Sequence, residues 1–276
     1  MTVLDLAAGE EIAAWPVARN PHEFAMAGAT LYVSNYRSDR VTLLDRVSGA
    51  TSLEQSTARR PHGLAVDSQN RVWYTTADGQ IQRLGGEDPG ATIAVGDTPH
   101  AIAIDPARDR AYVAVAGAGE VVAVDLAWGR VVGREKVGGG AESVALSADG
   151  STIAVAAADA RQVTVLRAES LSPLYTVRLP GRPVRVAITD DAVLASLAGR
   201  GALAIIDRAS GSVRAMVALG RLPDGIAVDA EANVAYVTVT GDDIIAVVDL
   251  EQSAVVGTLP AGAGPSGLLW APVPPQ

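Results

Sequence analysis

The sequence predicts an all-β fold in which small sheets repeat around an axis, and three observations support this prediction. A five-residue phrase recurs with starts at positions 21, 61, 99, 141, 183, 223 and 265, so the period is 38 to 42 residues. Each complete repeat holds four short segments rich in Val and Ile and separated by turn residues. No segment keeps the periodicity of an amphipathic helix. A period near forty with this strand content is typical of β-propeller blades, so we predict one propeller domain over residues 1–276.

The second repeat shows its four strands most clearly, and we predict them over residues 63–67, 71–76, 80–84 and 91–95. In the first strand Ala alternates with large aliphatic residues, as in Leu64-Ala65-Val66, which suits the crowded innermost position of a tapering blade. Aspartates end many first and third strands, with Asp67 and Asp45 as examples. We expect these aspartates to cap turns through local hydrogen bonds to the backbone.

The blade count depends on how the two ends of the chain are assigned. Six repeats are complete between residues 21 and 263. Residues 2–6 align with a third strand, 11–17 with a fourth strand and 266–271 with a first strand. Joining the ends would close the ring as a seventh blade and cover the sheet edges that an open propeller exposes. We therefore predict seven blades. The second strand of the seventh blade is missing, so the alternative is a six-bladed ring with extra terminal strands.

Composition excludes several classes of function. The chain has 22 basic and 31 acidic residues and a net charge of -9, and its basic residues are scattered, which argues against nucleic-acid binding. The absence of Cys excludes disulfides, Cys-ligated metals and thiol catalysis. No apolar run is long enough to span a membrane. Residues 1–15 lack the pattern of a signal peptide, so we expect a cytoplasmic protein.

The three histidines of the chain occupy the same repeat position in successive blades, as His22, His62 and His100. The fourth and sixth blades carry Glu142 and Asp224 at this position. Because innermost strands start beside the central channel, equivalent residues form a ring around its mouth. Imidazole and carboxylate groups together bind divalent transition metals such as Fe, Cu, Zn, Ni or Mn. We predict His22, His62, His100 and Glu142 as metal ligands, and Glu142 and Asp224 as catalytic residues.

Two other interpretations of the histidines stay open. Each histidine follows a Pro at a predicted interblade turn, where it could hydrogen-bond a neighbouring loop and keep the strand in place. The histidines could also serve in acid-base catalysis without a metal. Arg37 and Arg185 could separately steer an anionic substrate towards the mouth, but membership of a solvated rim is the interpretation that we favour for them.

Several segments resemble known propeller repeats. The second strands Tyr32-Val33-Ser34-Asn35, Tyr112-Val113-Ala114-Val115 and Tyr236-Val237-Thr238-Val239 resemble the YVTN repeat. The second repeat, with Pro61-His62-Gly63-Leu64-Ala65 and Trp73-Tyr74-Thr75-Thr76, resembles the streptogramin (virginiamycin B) lyase family. The lyase resemblance implies that a histidine removes a proton next to an ester carbonyl while a metal stabilises the enolate. The Glu-Pro-His arrangement of that family is absent, because Asn20, Arg60 and Thr98 precede the three Pro-His pairs.

The sequence therefore predicts a metal-dependent enzyme that acts on a small-molecule substrate at the channel mouth. Lyase or hydrolase chemistry is the first expectation, and redox chemistry at iron or copper is the second. Beyond the divalent metal we predict no bound cofactor. The competing prediction is a noncatalytic scaffold that binds a protein or peptide partner, with the histidines as turn residues.

Overall fold

The computed structural model describes residues 1–6, 8–86 and 91–271, and within these ranges the chain is an all-β propeller. Six antiparallel sheets of four strands follow one another along the chain, and each sheet keeps its strands in sequence order. The structure thus has six complete blades. The prediction of seven is wrong, and the six-bladed alternative with extra terminal strands is confirmed. No helix in the described part is long and apolar enough to cross a membrane.

The N-terminal sheet and the first three blades contain fourteen of the strands. The N-terminal sheet pairs β1 (Thr2–Asp5) with β2 (Glu10–Ala14). Blades 1, 2 and 3 are, in order, β3 (Pro21–Ala27), β4 (Thr30–Asn35), β5 (Arg40–Asp45) and β6 (Thr51–Ser56); β7 (Leu64–Val66), β8 (Val72–Thr76), β9 (Gln80–Arg83) and β10 (Thr92–Ala94); and β11 (Pro99–Asp105), β12 (Arg110–Val115), β13 (Glu120–Asp125) and β14 (Arg130–Lys136).

The last three blades repeat the same plan. Blades 4, 5 and 6 are, in order, β15 (Ala141–Leu146), β16 (Thr152–Ala157), β17 (Gln162–Arg167) and β18 (Pro173–Arg178); β19 (Arg182–Ile188), β20 (Ala192–Ala198), β21 (Ala202–Asp207) and β22 (Val213–Ala218); and β23 (Pro223–Asp229), β24 (Val234–Val239), β25 (Ile244–Asp249) and β26 (Ala254–Pro260). The four strands predicted for the second repeat are all present and are one or two residues shorter than expected.

The hydrophobic core lies between neighbouring sheets rather than at one centre. Separate buried clusters join each blade to the next from blade 1 to blade 6, and a further cluster joins the N-terminal sheet to blade 1. Between blades 3 and 4, for example, Tyr112 of β12 and Ile153 and Val155 of β16 are all fully buried. Alternating apolar residues on both faces of each strand supply these layers, as expected for sheets packed face to face.

Glycines at the third position of the repeated phrase let the innermost strands approach one another. The Gly63 amide donates to the carbonyl oxygen of His100 in the next blade (3.2 Å). A Cβ on Gly63 would lie 2.6 Å from that same oxygen. A methyl group on Gly225 or Gly267 would likewise overlap a neighbouring carbonyl oxygen. The sequence Pro-His-Gly therefore reflects close packing of backbones around the axis.

The ring is closed by a terminal sector, which we define as β1, β2 and residues 265–268. The Ser266 carbonyl oxygen accepts hydrogen bonds from the Gly225 amide (3.1 Å) and the Thr238 hydroxyl (2.9 Å) of blade 6. On its other side, Gly267 lies against the His22 carbonyl oxygen of blade 1. Residues 265–268 thus occupy a first-strand position. The strand predicted over 266–271 does not form, because the described residues contain no second strand to pair with it.

Candidate functional site

A tight backbone turn precedes each of the three histidines and places it near the axis. The residues before the Pro-His pairs, Asn20, Arg60 and Thr98, have left-handed φ values of 58°, 53° and 54°. This conformation is uncommon for residues other than glycine, and especially so for a β-branched residue such as Thr98. Strained backbone of this kind persists where the surrounding structure fixes it, and it is often found at functional sites.

Hydroxyl groups of the preceding blade then fix the backbone of two of the histidines. The Ser34 hydroxyl on β4 donates to the His62 carbonyl oxygen at 2.7 Å. The Thr75 hydroxyl on β8 donates to the His100 carbonyl oxygen at 2.6 Å. Ser34 and Thr75 stand at matching positions of their second strands and are fully buried. Each blade therefore positions the histidine of the next.

The three imidazoles form a row in which neighbouring rings are in close contact and are tilted by 48° and 39°. The ring centroids of His22 and His62 are 3.9 Å apart, those of His62 and His100 are 3.6 Å apart, and those of His22 and His100 are 6.4 Å apart. His62 is the central ring and only 5% of it is exposed. The Tyr36 ring, in the turn after β4, meets His62 edge-on at 5.8 Å. The prediction that the three histidines converge is confirmed.

Glu23 joins the histidines and was not predicted. Ligand atoms of His22, Glu23 and His62 all lie within 4.8 Å of one another. The Glu23 carboxylate also forms an ion pair with Arg185, which reaches it from blade 5, and the Arg185 Nε lies 3.2 Å from an Asp224 carboxylate oxygen. Arg185 is thus buried inside the channel. The interpretation that it belongs to a solvated rim is wrong, because two carboxylates hold it inward.

The hydrogen bonds of the rings define which nitrogens are free to accept a ligand. The His100 Nδ1 lies 2.9 Å from the Glu142 carbonyl oxygen, which can only accept, so Nδ1 carries the hydrogen and Nε2 has a free lone pair. The His62 Nδ1 is buried and has no hydrogen-bond partner. The His22 Nδ1 lies 3.5 Å from the Glu23 carboxylate, which is too long for a hydrogen bond. A buried nitrogen without a partner calls for an explanation, and a missing ligand is one.

The electrostatic environment keeps the inner rings neutral. Burial lowers the pKa of His62 well below its usual value, and the neighbouring His100 and His22 lower it further. Burial, followed by the Arg185 charge, lowers the pKa of His100 to about 4. For Glu23, burial acts to raise the pKa, but Arg185 and His22 together hold it below the usual value. At neutral pH the site therefore offers uncharged imidazoles beside an ionised carboxylate, which is the state that binds metal ions.

The other predicted site residues lie beside this cluster. The main-chain carbonyl oxygen of Glu142 accepts a hydrogen bond from the His100 ring, whereas the Glu142 carboxylate lies 3.7 Å from the Arg182 guanidinium. Burial raises the pKa of Glu142 above its usual value. Asp224 is bound by Arg185 on the opposite side of the channel. The structure thus brings His22 and His62 together with Glu23. The roles of His100 and Glu142 as metal ligands, and of Glu142 and Asp224 as catalytic residues, stay predictions.

A cavity of about 140 Å³ is lined by the residues that follow the histidines in the repeated phrases, and not by the histidines themselves. The first strands of all six blades and the C-terminal segment line it, with Glu23 and Arg185 as its charged groups. The sequence contains a signal for this pair that our prediction missed. At the repeat position after the histidine, the seven phrases carry Glu23, Arg185 and otherwise only Gly, Ala or Ser. One acid and one base at an axial position indicate an ion pair across the channel.

Comparisons with known proteins agree with the fold. The chain is similar to hydrazine synthase from Kuenenia stuttgartiensis, with a TM-score of 0.74 and 20% identity over 92% of this chain and 90% of that chain. At this identity the likeness shows the fold alone. A search of curated sequences gives no match, and the resemblance to YVTN repeats and streptogramin lyases stays a prediction. Residues 90–264 match the PQQ_2 family, described as outer membrane protein assembly factor BamB. Because this match covers more than half of the chain, the chain belongs to the PQQ_2 family of β-propellers.

Proposed function

We propose that this propeller is a metal-dependent enzyme that acts on a small molecule at the mouth of its central channel. The observation that carries the proposal is the convergence of His22, Glu23 and His62, whose ligand atoms lie within 4.8 Å of one another, and the Nδ1 of His62 is in addition buried without a hydrogen-bond partner. Glu23 takes the place that the sequence suggested for Glu142. His100, with its hydrogen on Nδ1, keeps a free Nε2 beside this group, although its ligand atoms are not among those within 4.8 Å.

The donor set narrows the choice of metal. Two imidazoles and one carboxylate are the ligands of many hydrolytic zinc sites and also of the facial triad of non-haem iron enzymes. This donor set does not suit magnesium, which prefers oxygen ligands. The hydrogen bond from His100 to a backbone carbonyl is the kind of outer contact that orients metal-binding histidines. Zinc fits hydrolase or lyase chemistry, and iron or copper fits the redox alternative.

The chain also supplies groups for proton transfer and for substrate binding. Burial raises the pKa of Glu142 above its usual value, and a raised pKa suits a carboxyl group that serves as a general acid or base. Arg185, held between Glu23 and Asp224, presents a positive charge to the cavity and would bind an anionic or carbonyl oxygen of a substrate. When bound, a metal would polarise that substrate or activate water. Elimination next to an ester carbonyl, as the lyase resemblance implies, needs these same groups.

Metal content tests the proposal. We expect untagged protein to bind about one equivalent of Zn, Fe, Cu, Ni or Mn by elemental analysis after reconstitution. His62→Ala and Glu23→Gln should each lower the bound metal by at least about tenfold. Glu231→Gln, which changes an exposed carboxylate, is the matched control and should bind like the parent. No binding of any of these ions by the parent protein, or equal binding by all three variants, would overturn the metal site.

A noncatalytic scaffold is the second candidate, and two observations favour it. The matching family is described as an assembly factor, which suggests a protein partner. Trp128, in the turn between β13 and β14, is 76% exposed, and large exposed apolar side chains are common in protein interfaces. A scaffold would keep its partner binding when His22 and His62 are replaced, whereas the enzyme would lose metal and activity together.

A further inference from the structure

An aromatic ring stands beside the histidines at a place where the other blades have a small side chain. The centre of the Tyr36 ring lies 6.3 Å from that of His22 and 5.8 Å from that of His62. At the same place relative to the repeated phrase, the other five complete blades have Ala or Thr, namely Ala77, Ala116, Ala158, Ala198 and Thr240. The blade therefore forms without an aromatic residue here, and Tyr36 is a feature of the histidine site.

The Arg60 guanidinium lies over the ring of Tyr36. Its Cζ is 5.6 Å from the centre of that ring, within the range of a cation–π contact. The backbone of Arg60 has a left-handed φ of 53°, and its amide donates to the Asp39 carboxylate at 2.7 Å. The main chain that carries this side chain is thus fixed. A cation–π contact uses the face of the ring and leaves the N–H groups of the guanidinium able to donate to another molecule.

The positive charge of Arg60 has no anionic partner in the part of the chain that the structure describes. Its guanidinium makes neither a hydrogen bond nor an ion pair there. The preceding residue, Arg59, pairs with Asp78 at 3.3 Å. Arg182, which precedes the Pro of the fifth blade as Arg60 precedes that of the second, pairs with Asp159 at 3.0 Å. Arg60 is therefore a cation held beside the histidines and still available to an anion.

We propose that Tyr36 and Arg60 form the substrate-recognition pair of this site and that the substrate is a small molecule with a carboxylate group. Guanidinium and carboxylate groups are both planar, so Arg60 can bind the carboxylate through two parallel N–H donors. The Tyr36 ring contacts the part of the substrate next to the carboxylate and holds the remainder beside His22 and His62. This inference rests on the proposed function, because it assigns a substrate class to the same site.

Binding of para-fluorobenzoate, followed by fluorine NMR on the full chain after metal removal, tests the pair. The neutral para-fluorobenzamide, which has nearly the same shape, is the control ligand. We expect the parent to bind the carboxylate at least about tenfold more tightly than the amide. Arg60→Met should weaken carboxylate binding by about tenfold and leave amide binding unchanged, so the preference disappears. Unchanged amide binding also shows that this variant is folded.

Variants of nearby residues assign the effect to Arg60. Arg59→Met removes the same charge one residue earlier, from a side chain that is 64% exposed and already paired, and should keep the preference. Arg37→Met, at an exposed position next to Tyr36, should also keep it. Tyr36→Ala should weaken both ligands to a similar extent, by about fivefold, because the ring contacts both. The proposal is overturned if the parent binds the two ligands equally or not at all, or if Arg59→Met or Arg37→Met removes the preference as fully as Arg60→Met.

Zinc content of the same preparations separates this inference from the proposed function. Arg60→Met should bind about as much zinc as the parent, because Arg60 does not ligate the metal. If the parent binds zinc but shows no preference that depends on Arg60, the recognition pair is wrong and the metal site stands. If no metal binds and the preference still depends on Arg60, the recognition pair stands and the metal site is wrong.

Discussion

Arg185 is the residue that sets the charge balance of the channel. Its side chain is 11% exposed, and its guanidinium pairs with both Glu23 and Asp224; burial acts to lower its pKa, but these two carboxylates outweigh burial and raise the pKa. Arg185 therefore stays charged and partly neutralises Glu23, which we propose as a metal ligand. A metal ion and Arg185 consequently compete for the same carboxylate, so binding of one weakens the attraction of the other.

This competition predicts opposite effects of one substitution on stability and on metal binding. Arg185→Met leaves two half-buried carboxylates, 20% and 26% exposed, without their shared cation and should lower the free energy of unfolding by about 2 kcal/mol. It should also strengthen Zn²⁺ binding by about tenfold, because a nearby positive charge is removed. Urea unfolding and zinc titration measure the two effects. Arg182→Met, whose side chain is 53% exposed, is the control and should change stability by about 0.5 kcal/mol or less.

Weaker zinc binding by Arg185→Met would show that Glu23 does not ligate the metal.

The site also shows how far single residues can be predicted. The three histidines could be predicted because one repeat position fixes their place on the ring. Glu23 was missed because the prediction considered only the position of the histidines, and because the register of β3 shifts between Pro21 and Phe24, so that strict alternation of neighbouring side chains does not hold there.

At the scale of strands and turns, the aspartates behave as the sequence suggests. Each aspartate that ends a first or third strand accepts hydrogen bonds from backbone amides two to four residues further on, and this confirms the predicted turn caps at Asp5, Asp45, Asp67, Asp105, Asp125, Asp207, Asp229 and Asp249. Such local bonds can be predicted because donor and acceptor are close in sequence. Contacts between blades join residues about forty positions apart in the sequence. Their geometry depends on how the blades are arranged around the axis, so the local sequence does not predict it.

Asp67 makes the turn after β7 depend on pH. Its carboxylate accepts from the Trp73 indole (2.8 Å), from the Arg71 guanidinium and from the amides of Gln69 and Arg71. Burial acts to raise the pKa of Asp67, but these hydrogen bonds outweigh it and hold the pKa below the usual value. The unfolded chain therefore takes up this proton at a higher pH than the folded chain. The stabilisation is complete above about pH 4 and is lost as the pH falls towards the folded-state pKa.

Asp67→Asn should lower the free energy of unfolding at pH 7 by about 2 kcal/mol, because charge-assisted hydrogen bonds are replaced by weaker ones. The difference from the parent should shrink on going from pH 7 to about pH 3, because the parent then loses the same charge. Chemical unfolding at several pH values measures this trend. Asp78→Asn alters a side chain that is 45% exposed and should show little difference at any pH. A difference for Asp67→Asn that grows in acid would contradict the assignment.

At the scale of the whole molecule, ring closure depends on residues from both ends of the chain. Seven innermost segments surround the axis, namely β3, β7, β11, β15, β19, β23 and residues 265–268, but only six of them begin a complete sheet. The repeat spacing pointed to seven first strands, and the six that form begin within three residues of 21, 61, 99, 141, 183 and 223. It overestimated the number of blades because a repeated phrase marks a first strand and not the three strands that must follow it. Closure at residues 265–268 therefore relies on side-chain and interblade contacts in place of a strand ladder.

Gly267 is the point at which this closure can be tested. A methyl group on Gly267 would overlap the His22 carbonyl oxygen of blade 1, so Gly267→Ala must push residues 265–268 away from β3. We expect a loss of about 2 kcal/mol in the free energy of unfolding, faster hydrogen exchange at residues 265–271 and easier proteolysis there. Gly257→Ala, on the exposed strand β26 with no atom within 4 Å of the added methyl group, should stabilise the protein slightly. If Gly267→Ala were as stable as Gly257→Ala and equally protected, the C-terminal segment would not close the ring, because closure requires a backbone contact that leaves no room for a side chain.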